Sequence, residues 1–222
     1  MKLLVVLSMA SFNEVLAYAL RIPGSNSNPT GAVAPLSPLL FFITPLMVTS
    51  VIFIVFYKMA LRIAPYYTII KLPLVVKLWG AGDIICQLLV STGAMLASRA
   101  ENQGQRSAGK AILLAVLGIH TVTLAAFTMI VVHWQHRSSR LIEAANSSRL
   151  DFWALYCACG MIILRGILRF GEIASGPDGP IQKHEVAFYF FDFIPVLIAL
   201  TACLQFYGND TLKASPGGTV ET

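Results

Sequence analysis

The chain has 222 residues, of which 56% are hydrophobic and only 12% are charged. The charged share is about half of that in soluble domains, so the chain cannot cover a water-exposed surface and a soluble globular protein is excluded. The formal net charge of +5 comes from lysines and arginines scattered over short connecting segments. This distribution is typical of the cytoplasmic loops of membrane proteins and argues against a nucleic-acid partner.

Apolar stretches of membrane-spanning length predict an all-α, polytopic transmembrane helix bundle, with one domain over residues 1–206. Lys2 before the first stretch and Ala17-Tyr-Ala19 within its end also fit a cleavable signal peptide, but Glu14 interrupts the apolar core and favours a retained span. Polar composition predicts loops at residues 21–37 and 98–110, and a disordered cytoplasmic tail at residues 207–222. The six predicted spans cover residues 3–20, 38–60, 73–97, 111–132, 152–170 and 186–206.

Lysines and arginines in the connecting segments set the predicted orientation. If the N-terminus is cytoplasmic, the inner segments hold more of these residues than the outer ones, so both termini are expected inside. The most basic segment, residues 133–149, then faces the cytoplasm. His133 and His136 at its start lack a nearby third ligand, so we expect them to anchor the interface with Trp134 and not to bind a metal.

Several ionisable residues lie within the predicted spans. Helix rise places Glu14, Arg165 and Asp192 roughly 8–9 Å below the outer ends of their spans, and it places Asp83 and His120 near the midplane. Arg165 and Asp192 are the predicted ion pair, with Glu14 as a second carboxylate. Such residues either fix helix packing or form a polar site open to the outer leaflet. The second interpretation is favoured because several charges converge at one depth.

The stretch with the most distinctive motif begins at Arg165-Gly-Ile-Leu-Arg169-Phe-Gly-Glu172, where i, i+4, i+7 spacing aligns three ionisable groups on one helix face. It continues through Asp178-Gly179 to His184-Glu185-Val-Ala-Phe188-Tyr189-Phe-Phe-Asp192. Two further blocks are Gly82-Asp83-Ile-Ile-Cys-Gln87 and Glu14-Val-Leu-Ala-Tyr18-Ala-Leu-Arg21. Together these motifs resemble the fungal RTA-like family, also described as lipid-translocating exporters.

The resemblance has three departures. Ala17 stands where the family usually has a glycine, and Gly93-Ala94-Met95 stands where it has a glycine triplet. The family motif that contains Glu14 lies on its second helix of seven. We therefore expect this chain to lack the usual first helix, either as a divergent member or through a truncated start site.

The resemblance implies a multi-pass protein that exports or flips sphingoid long-chain bases and confers resistance to toxic amphiphiles and stress. Its expected partners are membrane lipids, including sphingoid bases or sterol-like amphiphiles, and its expected location is the plasma membrane, with endomembranes as the alternative. A cationic head group is complementary to several of the carboxylates. The candidate substrate-binding residues are Glu14, Asp83, Gln87, Arg165, Arg169, Glu172, His184, Glu185 and Asp192.

We expect no enzymatic activity, no cofactor and no metal. The sequence has no Gly-x4-Gly-Lys-Ser/Thr motif, which excludes direct ATP hydrolysis by a P-loop, so transport would run downhill or couple to protons through Asp83, His120 or Glu185. One alternative is a non-transporting sensor that signals through residues 133–149. Another, a ceramidase-type zinc hydrolase, is disfavoured because His120, His133 and His184 are predicted at different depths.

Overall fold

The computed structural model describes residues 2–26, 33–63, 65–68, 71–98, 100, 102–139, 149–175 and 185–213. These residues form helices and short connections without a β-strand, which confirms the predicted all-α class. A short 3-10 turn, Pro65–Tyr67, lies between the second and third helices. The helices are α1 (Lys2–Asn26), α2 (Val33–Ile63), α3 (Leu72–Ser98), α4 (Gln103–Arg137), α5 (Arg149–Ser175) and α6 (Glu185–Lys213).

Four helices have the length and apolar composition of a membrane span within the described residues. The apolar parts of α1 and α6, Val5–Leu20 and Phe190–Phe206, are shorter. A helix satisfies every backbone hydrogen bond internally, which is the condition for crossing hydrocarbon. The four longer spans are Leu40–Ile63, Leu72–Ser98, Gln103–Arg137 and Leu150–Ser175.

The helices extend beyond several of the predicted spans. α1 continues to Asn26, and α2 begins at Val33, both within the first predicted loop. α4 begins at Gln103 within the second predicted loop, and α6 continues to Lys213 within the predicted tail. Hydropathy marks only the part of a helix that lies in hydrocarbon, whereas polar residues continue the same helix through the headgroup region.

α2 is the central helix of the bundle. Each helix packs against its neighbours in sequence, α1 packs against α6, and α2 additionally contacts α5 and α6. The half of the bundle near the end of α2 holds an aromatic core in which the Phe56 ring lies edge-on to Phe127 and Trp134, and Trp134 stacks on Phe152. Phe152 begins α5, so the ionisable residues near the end of α5 lie in the other half.

The outward faces of α3 and α4 are apolar. Ile84, Ile85 and Leu88 on α3, and Val122 and Met129 on α4, are all more than half exposed. In water such a surface would be a large exposed hydrophobic patch. It matches the lipid-facing side of a membrane bundle.

Glycines bring α3 and α4 into backbone contact. A Cβ added at Gly109 would lie 2.6 Å from the Ala97 nitrogen and 2.9 Å from the Gly93 carbonyl oxygen. A Cβ at Gly93 would lie 3.0 Å from the Ile112 side chain. Small residues allow this close approach, which is how membrane helices gain packing energy without a hydrophobic driving force.

Candidate functional site

Asp192 on α6 is the centre of the ionic interactions between α5 and α6. Its Oδ1 accepts hydrogen bonds from Nε of Arg165 and Nε of Arg169, both at 2.8 Å. Its Oδ2 accepts from Nη2 of Arg169 at 2.7 Å and Nη2 of Arg165 at 3.3 Å. The predicted pair of Arg165 with Asp192 is therefore confirmed. The structure adds Arg169 as a second partner, because one helical turn places both guanidinium groups on the face of α5 that meets α6.

Two more carboxylates join these three residues. Glu172 accepts a hydrogen bond from Nη1 of Arg169 at 2.9 Å. Glu14 on α1 lies with Oε1 3.6 Å from Nη2 of Arg165, which is an ion pair without a hydrogen bond. We call Glu14, Arg165, Arg169, Glu172 and Asp192 the charged cluster.

The charged cluster is buried and its formal charges do not balance. Glu14, Arg165 and Asp192 are 3%, 2% and 4% exposed, so water does not screen them. Three carboxylates face two guanidinium groups. The Thr44 hydroxyl lies near Glu14 but donates to the Leu40 carbonyl, and neither oxygen of Glu14 accepts a hydrogen bond within the described part of the chain. Buried charge in a membrane bundle is costly unless it is paired. Glu14 is thus the underpaired member of the cluster.

A proline in α2 supplies one further acceptor to the cluster. Pro45 has no backbone N–H, so the carbonyl oxygen of Phe41, four residues earlier, has no donor within the helix. Nη2 of Arg165 donates to that oxygen at 3.1 Å. Arg165 thus supplies the Phe41 carbonyl with a donor in place of the backbone N–H that Pro45 lacks.

Aromatic side chains line the cluster. The Tyr18 hydroxyl donates to Oδ2 of Asp192 at 3.1 Å, and its ring packs edge-on against Phe41 and Phe193 with centroids 4.8 and 5.7 Å apart. The Arg169 guanidinium carbon lies 5.2 Å from the Phe41 ring centroid, within cation–π range. A cation beside Glu14 would thus meet both carboxylates and aromatic faces.

Asp83 lies in a different place from the charged cluster. Its Oδ1 lies 3.7 Å from Nε2 of His120 on α4, and its Oδ2 accepts a hydrogen bond from the Ser50 hydroxyl on α2 at 2.9 Å. Asp83 and His120, which we call the midspan pair, are 5% and 7% exposed. Their predicted common depth agrees with this contact. Gln87, one turn from Asp83, is half-buried, and none of the described contacts joins its side chain to either group.

The remaining predicted site residues lie at the start of α6. His184 is outside the described residues, and Glu185 begins α6 with its side chain outside the description. Their roles stay predictions. Among the described residues, no group of three histidine, cysteine, aspartate or glutamate side chains is placed to hold a metal ion.

Three residues that contact the site residues were not among the candidates from the sequence. The hydroxyl of Tyr18, the carbonyl of Phe41 and the hydroxyl of Ser50 each bind an ionisable side chain. Pro45 indicates from the sequence that the Phe41 carbonyl can accept from another residue, because the proline ring removes the usual backbone donor four positions later. Ser50 has no such signal, because hydroxyls in apolar helices usually bond to their own helix, as Thr49 does with the Pro45 carbonyl.

Comparison with known proteins agrees with the motifs that form the cluster. A family model described as RTA1 like protein matches residues 7–214. The chain belongs to the RTA1-like family. The resemblance drawn from the Arg165–Asp192 stretch is thereby confirmed, and with four span-length apolar helices the RTA1-like chain is an integral membrane protein.

Three proteins from Saccharomyces cerevisiae are similar in sequence to this RTA1-like chain. Protein RTM1 is 23% identical over 203 residues, covering 88% of this chain and 65% of the relative. Protein RTA1 is 25% identical over 192 residues, covering 84% and 60%. Protoporphyrin uptake protein 1 is 27% identical over 140 residues, covering 60% and 45%. The chain thus spans between 45% and 65% of the lengths of these relatives. No solved structure matches it.

Proposed function

We propose that this RTA1-like protein moves amphiphiles with a cationic head group, sphingoid long-chain bases among them, between the leaflets of the plasma membrane without ATP hydrolysis. The charged cluster would hold the head group, and the apolar tail would stay in lipid. The observation that carries the proposal is Glu14, a buried carboxylate without a hydrogen-bond donor among the described residues.

The chemistry of the cluster favours a cation over an anion. Both guanidinium groups already donate to Asp192, and Arg169 also donates to Glu172. The group left to gain a partner is a carboxylate, and an ammonium offers it three donors and a compensating charge. A cation there would neutralise the excess of one carboxylate in the described cluster.

The surroundings of Glu14 suit a ligand that is apolar beyond its head group. Phe12 and Val15, which flank Glu14 on α1, are each 66% exposed toward the lipid side. On α6 the rings of Phe191 and Phe193 on either side of Asp192 are also exposed. A tail lying along these side chains would keep its apolar surface out of water while the head group reaches the cluster.

One relative bears on the class of substrate. The name of protoporphyrin uptake protein 1 refers to the uptake of protoporphyrin, which combines an apolar ring with carboxylates. This supports movement of amphiphiles within the family but leaves the sign of the head-group charge to be tested in this chain. Because both guanidinium groups already bind Asp192, we favour the cationic class.

Reconstitution of the purified chain into liposomes tests the proposal. A labelled sphingoid base added to one leaflet should become extractable from the other faster than in protein-free liposomes, whereas a labelled carboxylate amphiphile should not. Glu14→Gln removes the charge at nearly constant volume and should slow movement of the base about tenfold or more, the effect of losing a charged hydrogen bond. The matched control Asp151→Asn makes the same chemical change in the first turn of α5 and should move the base at the parental rate.

The outcomes separate the two candidate functions. Equal rates with protein and without protein would overturn translocation. If the base nevertheless binds, with an affinity that falls in Glu14→Gln, the protein would be a membrane sensor or regulator. Preferential movement of the carboxylate amphiphile would reverse the assigned head-group charge.

A further inference from the structure

The midspan pair lies apart from the charged cluster and has its own unpartnered groups. Nε2 of His120 and Nε1 of Trp79 are buried and have no hydrogen-bond partner within the described residues. Trp79 precedes Asp83 by one turn of α3, so the two side chains project from similar faces of that helix. A buried polar nitrogen without a partner costs free energy, so the unpartnered Nε2 of His120 beside the Asp83 carboxylate indicates a site that exchanges a small polar ligand.

The simplest ligand that fits the pair is a proton. With Asp83 ionised and His120 neutral, the pair carries one uncompensated negative charge inside an apolar bundle, which is costly. One added proton removes that net charge, whether it resides on the carboxyl group or on the imidazole. The contact of 3.7 Å between Oδ1 and Nε2 lets a small side-chain rotation close a hydrogen bond in either arrangement.

The groups facing the pair do not fix its charge. The Ser50 hydroxyl comes from α2, the Cys86 thiol lies one turn along α3 on the other side of Asp83, and His120 itself comes from α4. None of these is a permanent cation. Within the described chain the pair forms no ion pair with lysine or arginine, in contrast with the two guanidinium groups that hold Asp192.

Two contacts connect the midspan pair to the charged cluster. α2 contributes Ser50 to the pair and the Phe41 carbonyl to the cluster, with the proline irregularity at Pro45 between them. Gly166, next to Arg165, lies directly against Thr121, which is next to His120. α2 and the contact between α4 and α5 therefore join the two groups physically.

We propose that Asp83 and His120 form a proton-binding site that couples amphiphile movement to a proton moving in the opposite direction. The coupling rests on the proposed function, because it needs a transported head group at the charged cluster. One cation leaves as one proton enters, so the exchange transfers no net charge. The proton is bound by the pair from one side of the membrane and released to the other.

Liposomes with an internal pH-sensitive dye test the coupling. The probe is a labelled sphingoid base with a quaternary trimethylammonium head, because it cannot cross as a neutral amine and carry a proton itself. A pH gradient of one unit should shift the steady-state leaflet ratio of this probe about tenfold, the limit for one proton per cation. The dye should report proton entry only when the probe moves.

Variants separate the coupling from the transport. Asp83→Asn and His120→Gln should abolish the effect of the gradient on the leaflet ratio of the probe. Thr128→Val is the matched control, since it removes a hydroxyl on α4 that bonds to the Leu124 carbonyl of its own helix and should keep the full gradient effect. Elution as a single species in detergent shows that each variant is folded.

The possible failures are distinguishable. Movement that ignores the pH gradient in the parent protein overturns the coupling and leaves the proposed function intact. Movement driven by a sodium gradient at constant pH assigns the site to sodium instead. If neither this probe nor the primary-amine sphingoid base moves, the proposed function fails. Infrared difference spectra of the parent protein and Asp83→Asn during a pH titration then test the proton site by itself. If the parent shows no carboxyl band that is missing in Asp83→Asn, the pair does not bind a proton.

Discussion

The charged cluster and the midspan pair place carboxylates in the same apolar bundle with very different connectivity. Asp192 accepts four hydrogen bonds from two guanidinium groups and a fifth from Tyr18. Within the described part of the chain, Asp83 accepts one hydrogen bond, from the Ser50 hydroxyl, and its Oδ1 lies 3.7 Å from Nε2 of His120. The first carboxylate is held in one charge state and one geometry, whereas the second is free to change both.

The difference assigns separate tasks to the two regions. Permanent cations around Asp192 keep it ionised, so the cluster is suited to binding and orienting a charged ligand. A carboxylate and an imidazole without a permanent counter-charge are suited to gaining and losing a proton.

Arg165→Met should give the largest loss of stability. Removal of one partner leaves Asp192 and Glu14 buried with less compensation, which typically costs about 3–5 kcal/mol. Thermal unfolding in detergent is followed with a thiol-reactive fluorophore on a Cys86→Ala, Cys157→Ser background, because the two remaining thiols, Cys159 and Cys203, are buried in the folded state. Arg165→Lys keeps the charge but loses the forked donors of the guanidinium group. Its stability should lie between that of the parent protein and that of Arg165→Met. A Met variant as stable as the parent would show that the cluster does not hold the bundle together.

Gly166→Ala should break the contact between the two regions. The added methyl group would overlap the Thr121 hydroxyl, and overpacking of this kind costs about 1–3 kcal/mol. Thr121→Ala removes the overlapping atoms, so the double variant should recover most of the stability lost in Gly166→Ala. The same unfolding measurement on the single and double variants gives the coupling. Additive losses would mean that the two residues do not touch in the folded protein.

Depth along the helices was predictable from the sequence because it follows from helix rise alone. Counting residues from the ends of apolar stretches placed Arg165 with Asp192, and Asp83 with His120, and the structure brings both pairs together. The long apolar stretches also predicted the helical class, because a helix satisfies its own backbone hydrogen bonds in hydrocarbon.

Rotation of the helices about their axes was not predictable in the same way. It depends on side-chain packing between helices distant in sequence, which places Arg169 on Asp192 and Ser50 on Asp83. Gln87 illustrates the limit: its spacing from Asp83 suggests a shared site, yet its side chain makes no described contact with the midspan pair. The predicted spans ended before the helices do for another reason. Hydropathy detects only apolar residues, whereas polar residues outside the hydrocarbon remain helical.

Tyr18→Phe should have a small effect on the charged cluster. It removes one hydroxyl donor from Asp192 at 3.1 Å and keeps the ring packed against Phe41 and Phe193. Four guanidinium hydrogen bonds remain, so the expected loss is about 1 kcal/mol in the unfolding measurement. A loss as large as that of Arg165→Met would mean that the hydroxyl, and not the guanidinium pair, positions the carboxylate.

Asp83→Asn should change stability least, by less than about 1 kcal/mol, because the amide still accepts the Ser50 hydrogen bond and a buried charge is removed. Asp192→Asn makes the same chemical change in the charged cluster and should cost about 3–5 kcal/mol, since two buried guanidinium groups lose their shared counter-ion. Comparing the two variants in one unfolding assay measures the difference between the regions directly. Equal losses would mean that the midspan carboxylate is also held as a fixed ion, which is incompatible with its binding and releasing a proton.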